Sequence, residues 1–306
     1  MIEVRNLTKR YGTIEVLKNI SFKIESGSIY GFLGRNGAGK TTTMNILTGL
    51  SGYDAGEILV DNMNLGAIRR KIGGKIGYLP ENPAFYNYMN PVEYLSFIAD
   101  IRGMKNKDSQ IGKLLEIVNL KDAAKKRIGR YSRGMRQRLG IASALLGDPE
   151  IVFLDEPTSA LDPEGRLDVL DMILKLKKQG KTVFLSTHIL NDAERVCDHL
   201  SIIDKGKIII SASLDELKKK YTLPIYDIEF EKACGEIKDK FSDISWIDSI
   251  KVKNNTASIY VNDIDKAKSR LIYETERLNN PVISFRIRES SLEDIFIRMV
   301  KHDADI

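Results

Sequence analysis

The chain has 306 residues, 42% of them apolar and 29% charged, room for two globular domains with packed cores at roughly 150 residues each. A net charge of +5 and a pI near 8.9 fall short of the footprint of a nucleic-acid-binding surface. Two widely separated cysteines, Cys197 and Cys234, exclude a disulfide framework and a cysteine-rich zinc site, and no apolar run approaches the ~20 residues that cross a bilayer.

Along the chain, Met1-Ile2-Glu3-Val4-Arg5 lacks the basic start and long apolar stretch of a secretory signal, so the protein is expected to stay inside the cell. Ile2, Val4 and Leu7, then Ile20, Phe22 and Ile24, sit among polar residues and suggest an antiparallel edge. Residues 29–33, 76–79, 151–154 and 183–185 are short apolar runs with helical segments between them. Such runs read as buried parallel strands of an α/β sheet. From about 84 to 130 apolar residues recur at helical spacing, as in Leu95, Ile98, Ala99 and Ile101, then Ile111, Leu114, Leu115 and Val118. A helical subdomain over about 84–150 is expected there.

The pattern changes after Lys218-Lys219-Lys220, which divides the chain into residues 1–220 and a small α+β domain, 221–306. Strands are predicted at 226–230, 246–252, 257–261 and 282–287, with a hairpin at Asn254-Asn255 and helices at 234–241 and 264–278. The order βαββαβ is the ferredoxin-like arrangement. A last helix over 292–300 carries Leu292, Ile295, Phe296 and Met299 on one stripe. The runs Arg69-Arg70-Lys71, Lys125-Lys126-Arg127 and Lys218-Lys219-Lys220 read as solvated faces, with contact to anionic lipid or a partner near a membrane as the alternative.

Gly34-Arg35-Asn36-Gly37-Ala38-Gly39-Lys40-Thr41-Thr42 fits the P-loop pattern G-x-x-x-x-G-K-[ST] and follows the strand 29–33 directly. The glycines let backbone N–H groups turn inward onto phosphate oxygens, and the next helix adds its positive end. Lys40 supplies charge for the β and γ phosphates of ATP, and the Thr41 hydroxyl can ligate Mg²⁺. Asp155-Glu156 ends another strand. Asp155 can reach Mg²⁺ through water, and Glu156 can polarise the attacking water. His188 follows a third strand and is expected to sense the γ phosphate. In a parallel sheet, ligands bind at the carboxyl ends of the strands, so the motifs after residues 33, 79, 154 and 185 should converge on one edge. Ser132 is a credible helix N-cap, with Met135, Leu139, Ala142 and Leu146 following on one face.

Together with Tyr131-Ser132-Arg133-Gly134-Met135-Arg136-Gln137-Arg138, these residues resemble ABC-type ATPases, specifically the separate ATP-binding subunits of prokaryotic exporters with a C-terminal extension. The match runs from about residue 2 to 220. The resemblance implies a P-loop NTPase fold with a mixed sheet, an antiparallel β edge and a helical subdomain. It implies that Tyr11 stacks on adenine, that Ser132 and Gly134 clasp the γ phosphate, and that the Ser159-Ala160-Leu161-Asp162 loop crosses to the opposing subunit. Two such subunits, as a homodimer or heterodimer, would sandwich two ATP molecules and drive an integral membrane permease from the cytoplasmic face. Two departures stand out. Tyr131, Arg133 and Met135 replace three residues of the common Leu-Ser-Gly-Gly-Gln signature, and Glu81 follows Pro80 where the lid loop usually carries Gln. Glu81 keeps an oxygen that can meet Mg²⁺ or water. The alternative is a soluble ABC ATPase acting on nucleic acid or the ribosome. Against it, only about 90 residues separate P-loop and signature, and zinc-binding cysteine pairs are missing. No nucleic-acid partner is expected.

Overall fold

Alternation of apolar and polar residues builds the first sheet. In β1 (Ile2–Tyr11) and β2 (Ile14–Ile24) the residues Ile2, Val4, Leu7, Ile20, Phe22 and Ile24 are buried. The two strands pair antiparallel, with Ile2 opposite Ile24 and Val4 opposite Phe22. The short strands at Ala55–Val60 and Met63–Asn64, which the sequence did not announce, complete this sheet. The first has Ile58 and Val60 as its buried residues, and the second is exposed, so neither gives a strong periodic signal. The computed structural model describes residues 1–66, 73–159, 161–221, 224–292 and 294. Arg69-Arg70-Lys71, Ala160 and most of the expected helix over 292–300 lie outside them.

The continuous apolar runs build a second sheet. β3 (Ile29–Leu33) and the strands at Ile151–Asp155 and Thr182–Thr187 are buried at every position, as strands covered on both faces must be. With β4 (Ala55–Val60) and β5 (Met63–Asn64) in the first sheet, the strands of the second are β3, β6 (Ile76–Leu79), β7 (Ile151–Asp155), β8 (Thr182–Thr187), β9 (His199–Asp204) and β10 (Lys207–Ser213). Their order is β10-β9-β3-β8-β7-β6. All but β10 run parallel. The register sets Leu33 opposite Thr187, Asp155 opposite Ser186, and Leu79 opposite Leu154. Four strand ends therefore lie along one edge. Phe22 of the first sheet packs against Tyr30, Phe32 and Phe184 of the second, with ring centroids 5.3–6.0 Å apart. This aromatic layer, with Met44, Ile46 and Leu47 of α1 (Lys40–Leu47), is the core that joins the two sheets.

The helical segment comprises α2 (Pro91–Ile101), α3 (Lys107–Ile117) and α4 (Arg133–Leu145), with 3₁₀ turns between the last two. Asn90 caps α2 reciprocally with Glu93. Leu95 and Ala99 face inward, but Ile101 is 70% exposed and does not belong to the buried stripe. It lies about 200° around the helix from Ala99. α4 lies close against β6, because Gly77 has no side chain: a Cβ there would fall 2.1 Å from the Ala144 carbonyl oxygen.

The chain divides into two compact units, Met1–Leu214 and Asp215–Ile306. This boundary precedes the one read from the lysine run, because Ser213 is the last residue to pair with β9. In the second unit the elements follow as β11 (Ile225–Phe230), a helical turn at Ile237–Lys240, β12 (Ile247–Lys253), β13 (Thr256–Val261), a helix at Ile264–Glu276, and β14 (Val282–Arg288). The sheet is antiparallel with order β12-β13-β11-β14. Tyr226, Ile228, Phe230, Ala257, Ile259 and Val261 share a core with Ile237, Phe241 and Leu271.

Candidate active site

The turn after β3 is made by glycine. Gly37 and Gly39 have φ of 81° and 115°, and a Cβ on Gly39 would fall 2.6 Å from Leu17 Cδ2. The chain then enters α1 at Lys40, with no acidic residue in its first turn. Lys40 is only 6% exposed. Its Nζ donates to the Gly34 carbonyl at 2.8 Å and lies 3.3 Å from Glu156 Oε1, an ion pair without hydrogen-bond geometry.

Two cavities flank this turn. One of about 530 Å³ is lined by Tyr11, Val16, Asn36, Gly37, Gly39, Lys40, Thr41, Thr42, Glu81 and Glu156. The other, about 680 Å³, is lined by Arg35, Asn36, Gly37, Ala38, His188, Asp204 and Lys205. Glu156 and His188 meet across the two, with Nδ1 2.9 Å from Oε2. Tyr11 is half exposed, and Lys9 Nζ sits 5.0 Å from its ring centroid.

The two carboxylates at the end of β7 are held in unusual states. Asp155 is fully buried; the Ser186 hydroxyl donates to Oδ1, while Oδ2 has no hydrogen-bond partner. Burial pushes its pKa up, against the pull of the Ser186 and Thr41 hydroxyls and of Lys40. Glu156 has φ of 49°, a left-handed conformation that costs a non-glycine residue free energy. The surroundings over-determine it. Its N–H meets the Ser186 carbonyl at 3.2 Å, and Gln137 Nε2 reaches the Glu156 and Pro157 carbonyls at 3.4 and 3.2 Å.

Ser132, Gly134 and Asp162 line neither cavity. Ser132 caps α4, its hydroxyl accepting from Met135 N at 3.2 Å; Gly134 is in the first turn. Asp162 caps α5 (Pro163–Lys178) and accepts from Gly165 N at 3.1 Å. Both capping residues are exposed. The sequence motifs by themselves assign Gln137 no role. A signal was present: it shares a helix face with Gly140, Ile141 and Ala144, where a polar side chain needs a partner.

Among the described residues no group of three His, Cys, Asp or Glu side chains gathers around a metal position. Mg²⁺ is held by one or two carboxylates together with substrate phosphates. The unpartnered Asp155 Oδ2 and the adjacent Thr41 hydroxyl are the oxygens that fit it.

Residues 17–159 match the family described as ABC transporter, and residues 213–300 match the ATP-binding protein DrrA1-3-like, C-terminal domain. The chain is 40% identical over 304 residues to the ABC transporter ATP-binding protein YxlF of Bacillus subtilis strain 168, covering 98% of this chain and 99% of that one. It is 35% identical over 302 residues to the bacitracin transport ATP-binding protein BcrA of Bacillus licheniformis, covering 98% and 97%. Among solved structures it is similar to an ATP-binding subunit of an ABC transporter, with TM-score 0.66, 29% identity and coverage of 72% and 93%. It is also similar to a dimeric ATP-binding cassette in a post-hydrolysis state bound to ADP and Pi, with TM-score 0.65, 26% identity and coverage of 70% and 99%.

Proposed function

The chain belongs to the ABC transporter ATP-binding proteins, and from that premise we propose which residues carry its reaction and what it drives. It binds ATP and hydrolyses it. Lys40 and the amides of Gly34, Asn36, Gly37, Ala38, Gly39 and Thr42 hold the phosphates, and Tyr11 stacks on the base. Thr41, Asp155 and Glu81 hold Mg²⁺, which neutralises phosphate charge when bound. Glu156 takes the proton of the attacking water, and His188 contacts the γ phosphate while orienting Glu156. Ser132 and Gly134 clasp the ATP of a second subunit, toward which Asp162 also points its loop. Two ATP molecules then lie in one two-fold interface.

The observation that supports this reading best is the pair of buried carboxylate oxygens without hydrogen-bond donors, Asp155 Oδ2 and Glu156 Oε1, at the strand ends beside Lys40. Most buried polar groups have partners, so two unmet carboxylate oxygens on adjacent residues beside Lys40 support a ligand there. Among the described residues no helix is long and apolar enough to cross a membrane. In this reading a separate integral membrane permease carries the cargo, and this subunit works against it at the inner face. The aromatic cluster of Tyr86, Tyr88 and Phe97, exposed by 39–67%, offers that partner a surface on the helical segment. The second unit serves as an accessory domain that stabilises the dimer, and the choice of cargo for export falls to the permease.

Glu156→Gln tests the reading. It should bind ATP, hydrolyse it at least about a hundredfold more slowly, and elute as a dimer when ATP is present. Wild-type turnover in that variant moves the base elsewhere.

A further inference from the structure

Asp192 lies four residues after His188, in α6 (Leu190–Val196), and is 2% exposed. A carboxylate this deep is costly unless donors surround it. Two do. Thr158 Oγ1 donates to Oδ2 at 2.6 Å, and Arg166 Nε donates to Oδ1 at 2.6 Å, with Nη2 also at 2.6 Å. Thr158, itself 2% exposed, stands two residues beyond Glu156, and Arg166 is in α5.

Two hydrogen bonds therefore run side by side between the same two stretches of chain. Glu156 meets His188, and Thr158 meets Asp192. They differ in cost. His188 is half exposed while Glu156 is 5% exposed, so that bond is buried at one end only, whereas Thr158 and Asp192 are each 2% exposed and theirs is buried at both. Breaking the buried bond strands a carboxylate oxygen. The buried rung thus sets the spacing in which the exposed one forms. Gln137 holds the Glu156–Pro157 carbonyls of the same loop from the α4 side. A residue at φ 49° keeps that conformation only while its neighbours enforce it.

We propose that Asp192 is a positioning residue for ATP hydrolysis, holding the Glu156 loop in register with the His188 segment through the Thr158 hydroxyl. This rests on the assignment of Glu156 and His188 made above. The carboxylate transfers no proton and touches no phosphate; its effect is on the frequency with which Glu156 faces the attacking water correctly.

The test uses the full chain and steady-state ATP hydrolysis. Thr158→Val keeps the side-chain shape and removes the hydroxyl. It should lower kcat about tenfold, the rate equivalent of one buried hydrogen bond, with KM for ATP within about twofold. Thr158→Ser, which restores the hydroxyl, should restore kcat. Asp192→Leu, which removes the acceptor of the Thr158 hydroxyl together with the Arg166 ion pair, should lower kcat at least as much, and adding Thr158→Val to it should change little, because the Thr158–Asp192 contact is already gone. Unchanged kcat in Thr158→Val with a lowered melting temperature would overturn the proposal and leave Asp192 a stability residue. Equal loss in the Val and Ser variants would overturn it too, since returning the hydroxyl would then return no activity. Glu156→Gln measured alongside separates the premise: wild-type turnover there removes the base assignment, whatever the Thr158 variants do.

Discussion

Asp155 in the first unit and Asp294 in the second are both almost wholly buried, at 0% and 4% exposure, yet their surroundings are opposite. Asp155 has one hydroxyl on Oδ1 and nothing on Oδ2, and burial drives its pKa up. Asp294 receives Arg288 Nη1 at 2.6 Å, the Tyr260 hydroxyl at 2.6 Å, and both the hydroxyl and the amide of Ser291. Those donors hold its carboxyl far below the usual carboxylate range, against the opposing effect of burial. Arg288 is shared in turn with Asp227 at 2.7 Å. A carboxylate whose donors are all supplied is part of the fold; one left wanting has an oxygen free to accept. The second unit does contain an unpartnered buried hydroxyl, on Tyr226, but its described buried charges are matched.

The contrast is broken most directly at Lys40. Lys40→Ala should abolish ATP binding in a titration while circular dichroism stays unchanged, and retained affinity would take the phosphate role away from this turn. A truncated chain of residues 1–220 keeps every residue assigned to nucleotide, so it should still bind; a folded fragment that cannot would show that the second unit completes the site.

Gly134→Asp asks whether the capped end of α4 belongs to a shared site. An acidic residue in the first turn suits the positive end of a helix, so the variant should fold. Opposite a partner's γ phosphate the same charge is repelled, and turnover should fall about a hundredfold or more with ATP binding by the monomer intact. Normal turnover, independent of protein concentration, would argue for a self-sufficient monomer.

The smallest effects are on stability, and they should have opposite signs. Asp294→Asn weakens a buried ion pair and should cost about 2 kcal/mol, below the 3–5 of a fully buried one because Arg288 is 35% exposed. Asp155→Asn removes an unsatisfied buried charge and should raise the melting temperature without nucleotide by about 2–4 °C, while hydrolysis is lost. The pH dependence follows the same division. Asp294, with a depressed folded pKa, contributes stability above about pH 4 that is lost as pH falls further. Asp155, with a raised one, opposes folding above that raised value, and its penalty is relieved as pH falls through it. Melting curves of the two variants across pH would show whether the signs differ; equal shifts would remove the distinction.

The class of the fold was open to reading because it rests on local order. Unbroken apolar runs at 29–33, 151–154 and 183–185 mark strands buried on both faces, and the glycines before Lys40 mark a turn only they can make. Ile101 shows where that reading fails: an apolar residue three positions from Ile98 still points to solvent because it lies far around the helix from the buried stripe of Leu95 and Ala99. The strands at Ala55–Val60, His199–Asp204 and Lys207–Ser213 carried too little contrast, or too short a run, to be separated from their neighbours.

The chemical residues of the candidate site stand in consecutive motifs, so their identities were in the chain: Lys40, Thr41, Asp155, Glu156 and His188. Their states were not. That Asp155 keeps one oxygen bare, that Glu156 is bent to a positive φ, and that Gln137, Thr158, Arg166 and Asp192 brace it depend on contacts between residues 19 to 34 positions apart. No periodicity encodes such contacts. They exist because parallel strands bring distant segments to one edge, where burial decides which polar atoms find partners and which stay bare.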